Sequence, residues 1–343
     1  MKKRKFIFFS MFVLFGIVAV FSCVAKSHFQ IDRNNSRLIV QKSRSGYTYA
    51  VYKDHIELLK YFGEEANVNV PLKLFGKPVT VIGEYCFFSN DDIITIYLSS
   101  NITEIKKNAF NQCSELESVT GEAVLKVIPE MAFHSCSKLK TVHVGNEIER
   151  IEEQAFDYCK LLESIGEQPK LKHIGWGAFM DAGTVADLNI PSNAEIENLA
   201  FVESEWLAGK TDEFVIEGNG NLLAYNGSAQ TIKVPIGVKK IDAKSFQYKG
   251  NGSKIQEIYL PDTVVEVVYE AFEGLSNITV YIPDSVIYID KDFQEFSQKD
   301  EFNHLTYSNN DLIIVTTKGA YAEKYARKYK LEYEIVDKIE YPE

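Results

Sequence analysis

Tryptophan is nearly absent from this 343-residue chain, with two against 22 phenylalanines and 19 tyrosines. Base is scarce as well: 37 Lys and Arg face 48 Asp and Glu, a formal net charge of −11. Four of those bases (Lys2, Lys3, Arg4, Lys5) fall in the first 22 residues, which hold no acid, so the rest carries 33 − 48 = −15. A chain of that sign repels a phosphate backbone, which argues against a nucleic-acid partner. No Cys-x-x-Cys or His-x-x-x-His pair supports a metal site. There is no Gly-x-Ser-x-Gly elbow, and Gly218-Asn219-Gly220 lacks the third glycine of a phosphate-cradling loop. The six histidines are scattered, and acidic pairs such as Glu152-Glu153 read as a solvated face. The expectation is a protein that is not an enzyme and needs no cofactor.

One long apolar run exists, and it stands at the start. Lys2 to Lys5 precede sixteen mostly apolar residues, Phe6 to Phe21, and then Ser22-Cys23. That order is the layout of a signal peptide, residues 1–22. Val20 and Ser22 before Cys23 resemble the lipoprotein box of bacteria, which implies Cys23 as the lipidated first residue of the mature chain and export to the cell envelope, as a lipid-anchored outer-membrane protein on the cell surface. Simple secretion and a retained anchor are the alternatives, although sixteen residues fall short of the ~20 a membrane span needs. Residues 23–46 are polar with little periodicity and read as a tether of weak order.

What is abundant is repetition. Phe87, Phe110, Phe133, Phe156, Phe179 and Phe201 are spaced 23, 23, 23, 23 and 22 apart, followed by Phe246, Phe272 and a weaker Phe293. A fixed period of about 20 to 29 residues is the length of a leucine-rich repeat. Each unit carries one apolar skeleton: Leu125, Ile128, Ala132, Phe133, Cys136, Leu139 and Val142 recur as Ile148, Ile151, Ala155, Phe156, Cys159, Leu162 and Ile165. No single unit encloses these side chains; stacked coils do. The alternation in Leu139 to Val144, repeated in Ile93 to Leu98, Val185 to Ile190, Ile255 to Leu260 and Ile278 to Ile282, predicts one short strand per coil with one buried face. Residues 205–237 interrupt the period, and Phe214 to Tyr225 reads as an extra hairpin around Gly218-Asn219-Gly220-Asn221.

The recurring isoleucine, Ala-Phe, Cys and Leu frame resembles the BspA-type leucine-rich repeat family of bacterial surface proteins, over about residues 47–335. The resemblance implies a repeat solenoid, a right-handed β/α superhelix of horseshoe-like form, β-rich with short helical or irregular convex segments. Tyr49 to Ile82 resembles the family's first coil, so the N-terminal coil spans about 47–80 and the repeats about 81–304. Thr317 to Ala326 resembles its C-terminal cap, a short helix after a glycine turn, about 305–335, leaving 336–343 as a tail.

Cys113, Cys136 and Cys159 each follow a Phe by three residues and should stack in one column. Ala182 takes that position one coil on, so the site asks for a small apolar group, and buried free thiols are expected rather than disulfides or metal ligands. The strand residues between the buried ones form the candidate ligand-binding sheet face: Thr95, Tyr97, Ser118, Thr120, Thr141, His143, Asp187, Asn189, Glu257, Tyr259, Thr279 and Tyr281. Tyrosine with small polar neighbours suits contact with protein or glycan, although Thr and Tyr also favour any exposed strand. The family resemblance implies adhesin-like attachment to host matrix proteins or neighbouring cells. The rival reading is a lipid-anchored protein that captures glycans or other solutes for an uptake system, with an aromatic platform at 205–237 or on the Tyr-bearing sheet edge.

Overall fold

The structure is a computed structural model, and it describes residues 28–32, 37–41, 46–247, 254–268, 270–290 and 312–342. The signal segment, Cys23, Phe293 and part of the expected cap lie outside the described residues. The chain forms a β-solenoid of about eleven turns, mostly strand with few helices. It divides into two compact units, residues 1–168 and 169–343.

Unit 1 opens with antiparallel strands that lead into the first turn. Tyr47–Val51 pairs with Ile56–Tyr61, which then runs parallel to Lys77–Ile82. Within residues 23–46, read as a tether of weak order, two more strands pair with each other, His28–Asp32 and Arg37–Gln41, the second also paired to Tyr47–Val51. The pair Ile39-Val40 is the local reason, since β-branched residues favour an extended chain.

From there every turn has three sides. The front side is a parallel sheet of Asn67–Asn69, Thr95–Leu98, Ser118–Gly121 and Thr141–His143. A second side carries two-residue strands, such as Val127–Ile128 paired with Arg150–Ile151. The third is the Ala-Phe turn. Around Phe110, the N–H groups of Asn108, Phe110 and Gln112 donate to the carbonyls of Glu130, Ala132 and His134 one turn on, at 3.1, 2.9 and 2.8 Å. Alternate residues can face the next turn because the backbone is left-handed on both sides of the ring. Tyr85, Asn108, Met131, Gln154, Gly177 and Leu199, each two before a Phe, have φ of 51–61°. Ser89, Gln112, Ser135, Tyr158, Asp181 and Glu203, each two after, have φ of 52–62°. A non-glycine residue there costs on the order of 1 kcal/mol, which the ladder bonds offset.

Inside, the phenylalanines stack as their spacing predicts. Successive rings from Phe87 to Phe110, Phe133 and Phe156 sit 5.1, 5.0 and 5.3 Å apart and within 10° of parallel. Tyr61 closes the column's first end, 5.4 Å from Phe87. The cysteines stand beside it, free and buried. Cys113, Cys136 and Cys159 each donate Sγ–H to the carbonyl of the Phe 26 residues earlier, at 3.0 Å. Burial pushes the thiols of Cys86, Cys136 and Cys159 well up from their ordinary value.

Unit 2 repeats the scheme with an interruption. Phe179 and Phe201 stack at 5.3 Å, and Trp206, on the short helix Glu205–Ala208 capped by Ser204, covers Phe201 at 4.3 Å. The expected hairpin follows: Phe214–Glu217 pairs antiparallel with Asn221–Tyr225, and Gly218 and Gly220 supply positive φ in the turn. Tyr225 then leads into Phe246 and Phe272, whose rings lie 5.7 Å apart. At the end, the helix Tyr321–Tyr329 follows Gly319 and packs Ala322, Tyr325 and Ala326 onto the core.

Candidate functional site

The register of unit 1's front sheet puts six of the candidate residues into two straight columns. Val68, Ile96, Val119 and Val142 point inward and are at most 2% exposed. The residues on either side of them point outward. One column is Asn67, Thr95, Ser118, Thr141 and, by a single bridge, Ser164. The other is Asn69, Tyr97, Thr120 and His143. Thr95 Oγ1 donates to Asn67 Oδ1 at 2.7 Å, and His143 Nε2 meets Ser164 Oγ at 2.5 Å. Tyr97 stands out of the face, 41% exposed. Ion pairs one turn apart, Lys138 with Glu115 at 2.6 Å and Lys140 with Glu117 at 2.8 Å, line the rim just before the strands. Being exposed, they shape the local charge more than the stability.

Asp187 and Asn189 do not join such a face. Val185 to Ile190 was expected to be a strand; instead Val185 has φ of 35°, the Leu188 N–H returns to the Val185 carbonyl, and Asp187 lies in a turn. Ala and Asp at 186 and 187 are weak strand formers. The next turn offers no strand to pair with either: at that level it is the helix Glu205–Ala208, whose Glu205 and Trp206 N–H groups take the carbonyls of Ala182 and Gly183.

Unit 2 has its own front sheet, of parallel strands Thr231–Lys233, Glu257–Tyr259, Ile278–Tyr281, Leu312–Thr317 and Glu332–Val336. Glu257 and Thr279 share one outward column, and Lys233, Tyr259, Tyr281, Val315 and Glu334 the other. The Tyr259 and Tyr281 rings stack at 4.0 Å, 6° from parallel. Glu257 accepts from Thr231 Oγ1 at 3.0 Å and from the Tyr281 hydroxyl at 3.4 Å. The bond shared with the Tyr259 hydroxyl, then burial and the Glu257 carboxylate, push the Tyr281 phenol well up. Residues 338–342 approach this face: Lys338, Ile339, Glu340 and Pro342 line a half-open hollow of about 460 Å³ with Tyr259, Tyr281, Val315 and Val336, and the Tyr341 hydroxyl donates to the Val234 carbonyl.

A cleft of about 480 Å³ in unit 2 was not foreseen residue by residue. It forms where the interruption splits the second side of the turns: Glu195–Ile196 pairs with His173–Ile174, whereas Asn221–Tyr225 pairs onward with Lys240–Ile241. Side chains bridge the gap. Asn221 Nδ2 and Lys240 Nζ both donate to the Ile196 carbonyl, at 2.8 and 3.0 Å, and Lys239 Nζ donates to Asn219 Oδ1 at 2.7 Å. Trp176 lines one wall, its backbone N–H donates to Glu197 Oε2 at 2.9 Å, and His173 Nε2 lies 3.5 Å from the same carboxylate. Glu195, Glu266 and Val265 complete the walls. The broken period at 205–237 was the signal in the sequence; that Trp176, one turn earlier, faces the break was not legible there.

Among the described residues, no cluster of His, Cys, Asp and Glu could hold a metal ion, and no helix is long and apolar enough to cross a membrane.

The sequence matches the model of the BspA type leucine-rich repeat region, in six copies, over residues 80–207 and 220–333. No curated protein matches it. Similar solved structures include a leucine-rich cell surface protein from Faecalibacterium prausnitzii A2-165, 17% identical, with a TM-score of 0.49 over 85% of this chain and 94% of that one. A leucine-rich repeat protein from Bacteroides ovatus ATCC 8483 is 17% identical, with a TM-score of 0.47 over 79% and 83%. The pneumococcal vaccine antigen PcpA is 15% identical, with a TM-score of 0.42 over 88% and 99%. With more than half of its length matched by the repeat model, and with phenylalanines stacked from turn to turn, this chain belongs to the BspA-type leucine-rich repeat family.

Proposed function

We propose that this protein is a non-catalytic binding protein of the bacterial cell surface, adhesin-like, that attaches to proteins of a host matrix or a neighbouring cell. The observation that carries the reading is the front sheet of unit 1, where the Thr95 and Tyr97 columns project side by side from a fully paired ladder. Held on a rigid ladder, hydroxyls and a tyrosine lose little entropy on contact, which suits recognition by area and hydrogen bonds. Export and a lipid anchor at Cys23 in the outer membrane belong to the same proposal. Mass spectrometry of the mature N-terminus tests the anchor. For binding, the chain lacking residues 1–23 is titrated over immobilised fibronectin, fibrinogen and laminin, and Thr95, Tyr97, Thr120 and His143 are changed to alanine in turn. Saturable binding that weakens with those changes supports the reading; binding that ignores all four removes it.

The second reading, capture of glycans or other solutes for uptake, is favoured by the cleft of unit 2. An indole beside carboxylates and amides suits a sugar, whose C–H face packs on the ring while its hydroxyls pair with Glu197 and Asn219. A glycan array with Trp176→Ala as control separates the two: glycan binding lost in that variant favours capture.

A further inference from the structure

We infer that the outward face of unit 2's front sheet is a docking surface for an extended, Tyr- and Pro-bearing peptide, and that residues 337–342 of this chain occupy it as a tethered stand-in. The inference rests on the proposed reading of the sheet faces as binding surfaces.

The register supplies the first argument. Val315 falls in the outward column with Tyr259 and Tyr281, yet it is only 3% exposed. Lys338, Ile339, Glu340 and Pro342 line the same hollow as Val315, across from the sheet. The second argument is the path. Three strands lie between Glu332–Val336 and Thr231–Lys233, the two edges of the sheet, so four spacings of ~4.8 Å, or ~19 Å in all, separate them. Val336 to Tyr341 is five residues, ~17 Å when extended, and the tyrosine side chain supplies the rest. Its hydroxyl reaches the carbonyl of Val234, the residue after the far strand. The segment therefore crosses the strands at a steep angle instead of adding to an edge, and it forms no strand itself. Recognition of this kind uses side chains on an aromatic floor, as aromatic grooves take proline-bearing peptides. Here the floor is the stacked Tyr259–Tyr281 pair, and Pro342 lines the hollow above it.

Tethering explains how the segment keeps its place. A segment joined directly to Val336 acts at an effective concentration on the order of millimolar, so a free peptide displaces it only by binding more tightly. The unit-2 face would thus answer to fewer partners than the open face of unit 1.

The test uses the full chain carrying Ile339→Asp and Tyr341→Ala, with a fluorescein-labelled peptide of residues 337–342 as probe. The variant is expected to bind the probe at least about tenfold more tightly than the wild-type chain by anisotropy, and adding Tyr281→Ala should erase the gain. Equal binding to both chains, or a gain that survives Tyr281→Ala, overturns the proposal. Backbone ¹⁵N relaxation gives an arm that needs neither variant: residues 338–341 should be as ordered as the sheet in the wild type and become mobile in Tyr259→Ala/Tyr281→Ala. A mobile segment in the wild type, or no change in the double variant, overturns it. Neither arm uses an outside ligand, so this inference can fail while matrix-protein binding by unit 1 stands, and the reverse.

Discussion

The rings of Phe110 and Phe133 lie 5.0 Å apart and 2° from parallel, although 23 residues separate them in the chain. Each is fully buried between the ring before it and the ring after. A side chain so placed is shared by two turns. Phe133→Ala leaves a cavity that rigid ladders on three sides keep from collapsing, and it should cost ~3–5 kcal/mol. Urea unfolding followed by circular dichroism checks this, and near-wild-type stability would contradict the column.

The thiols beside that column should be inert while the protein is folded. The raised pKa of Cys86, Cys136 and Cys159 leaves almost no thiolate at neutral pH, and all four described cysteines are buried. Iodoacetamide followed by peptide mapping should label Cys86, Cys113, Cys136 and Cys159 only after denaturation.

Asp242 sets a pH dependence of opposite sense to the usual carboxylate. Burial raises its pKa from 3.8 to about 6, against the pull of Lys240 and of the bonds its Oδ1 accepts from Ala243 and Leu199. The folded state therefore binds this proton more tightly than the unfolded state. The stabilising contribution is complete below about pH 4 and is lost as pH rises to about 6, a change of roughly 3 kcal/mol. Asp242→Asn keeps the accepting oxygen and loses the titration, so its stability relative to wild type should climb across that window. Melting curves of both proteins at pH 4 and pH 7 measure the difference, and parallel behaviour would exclude it.

On the front face of unit 1, function and stability should separate. Tyr97 is 41% exposed and Thr120 half-buried, so alanine at either position should shift stability by no more than about 0.5 kcal/mol. If the face binds matrix protein, Tyr97→Ala should cost about tenfold or more in affinity, as central tyrosines do. Surface plasmon resonance beside a thermal melt reads both effects on one sample.

Much of this architecture is visible in residue order because burial repeats. Ala132, Phe133, Cys136, Leu139 and Val142 recur one turn later as Ala155, Phe156, Cys159, Leu162 and Ile165, and every one of them is buried. The left-handed positions beside each Phe could not be read so. Tyr85, Asn108, Met131, Gln154 and Leu199 share a backbone conformation and no chemistry, because neighbouring turns impose it through hydrogen bonds to peptide groups that every residue carries. Asp187 and Asn189 show the reverse error: alternation alone suggested a strand, yet a strand needs a partner, and the next turn presents a helix.

Residue order by itself determined that the chain would coil with a 23-residue period and stack phenyl rings and thiols, since these follow from side-chain volume and hydrophobicity at fixed spacing. Only the tertiary structure decided which outward faces stay open. Tyr97 and Tyr281 sit in the same kind of strand, but only Tyr281 shares a hollow with Lys338, Ile339, Glu340 and Pro342. A period describes what each turn buries against the next, whereas whether a face meets solvent depends on a segment that returns from outside the period.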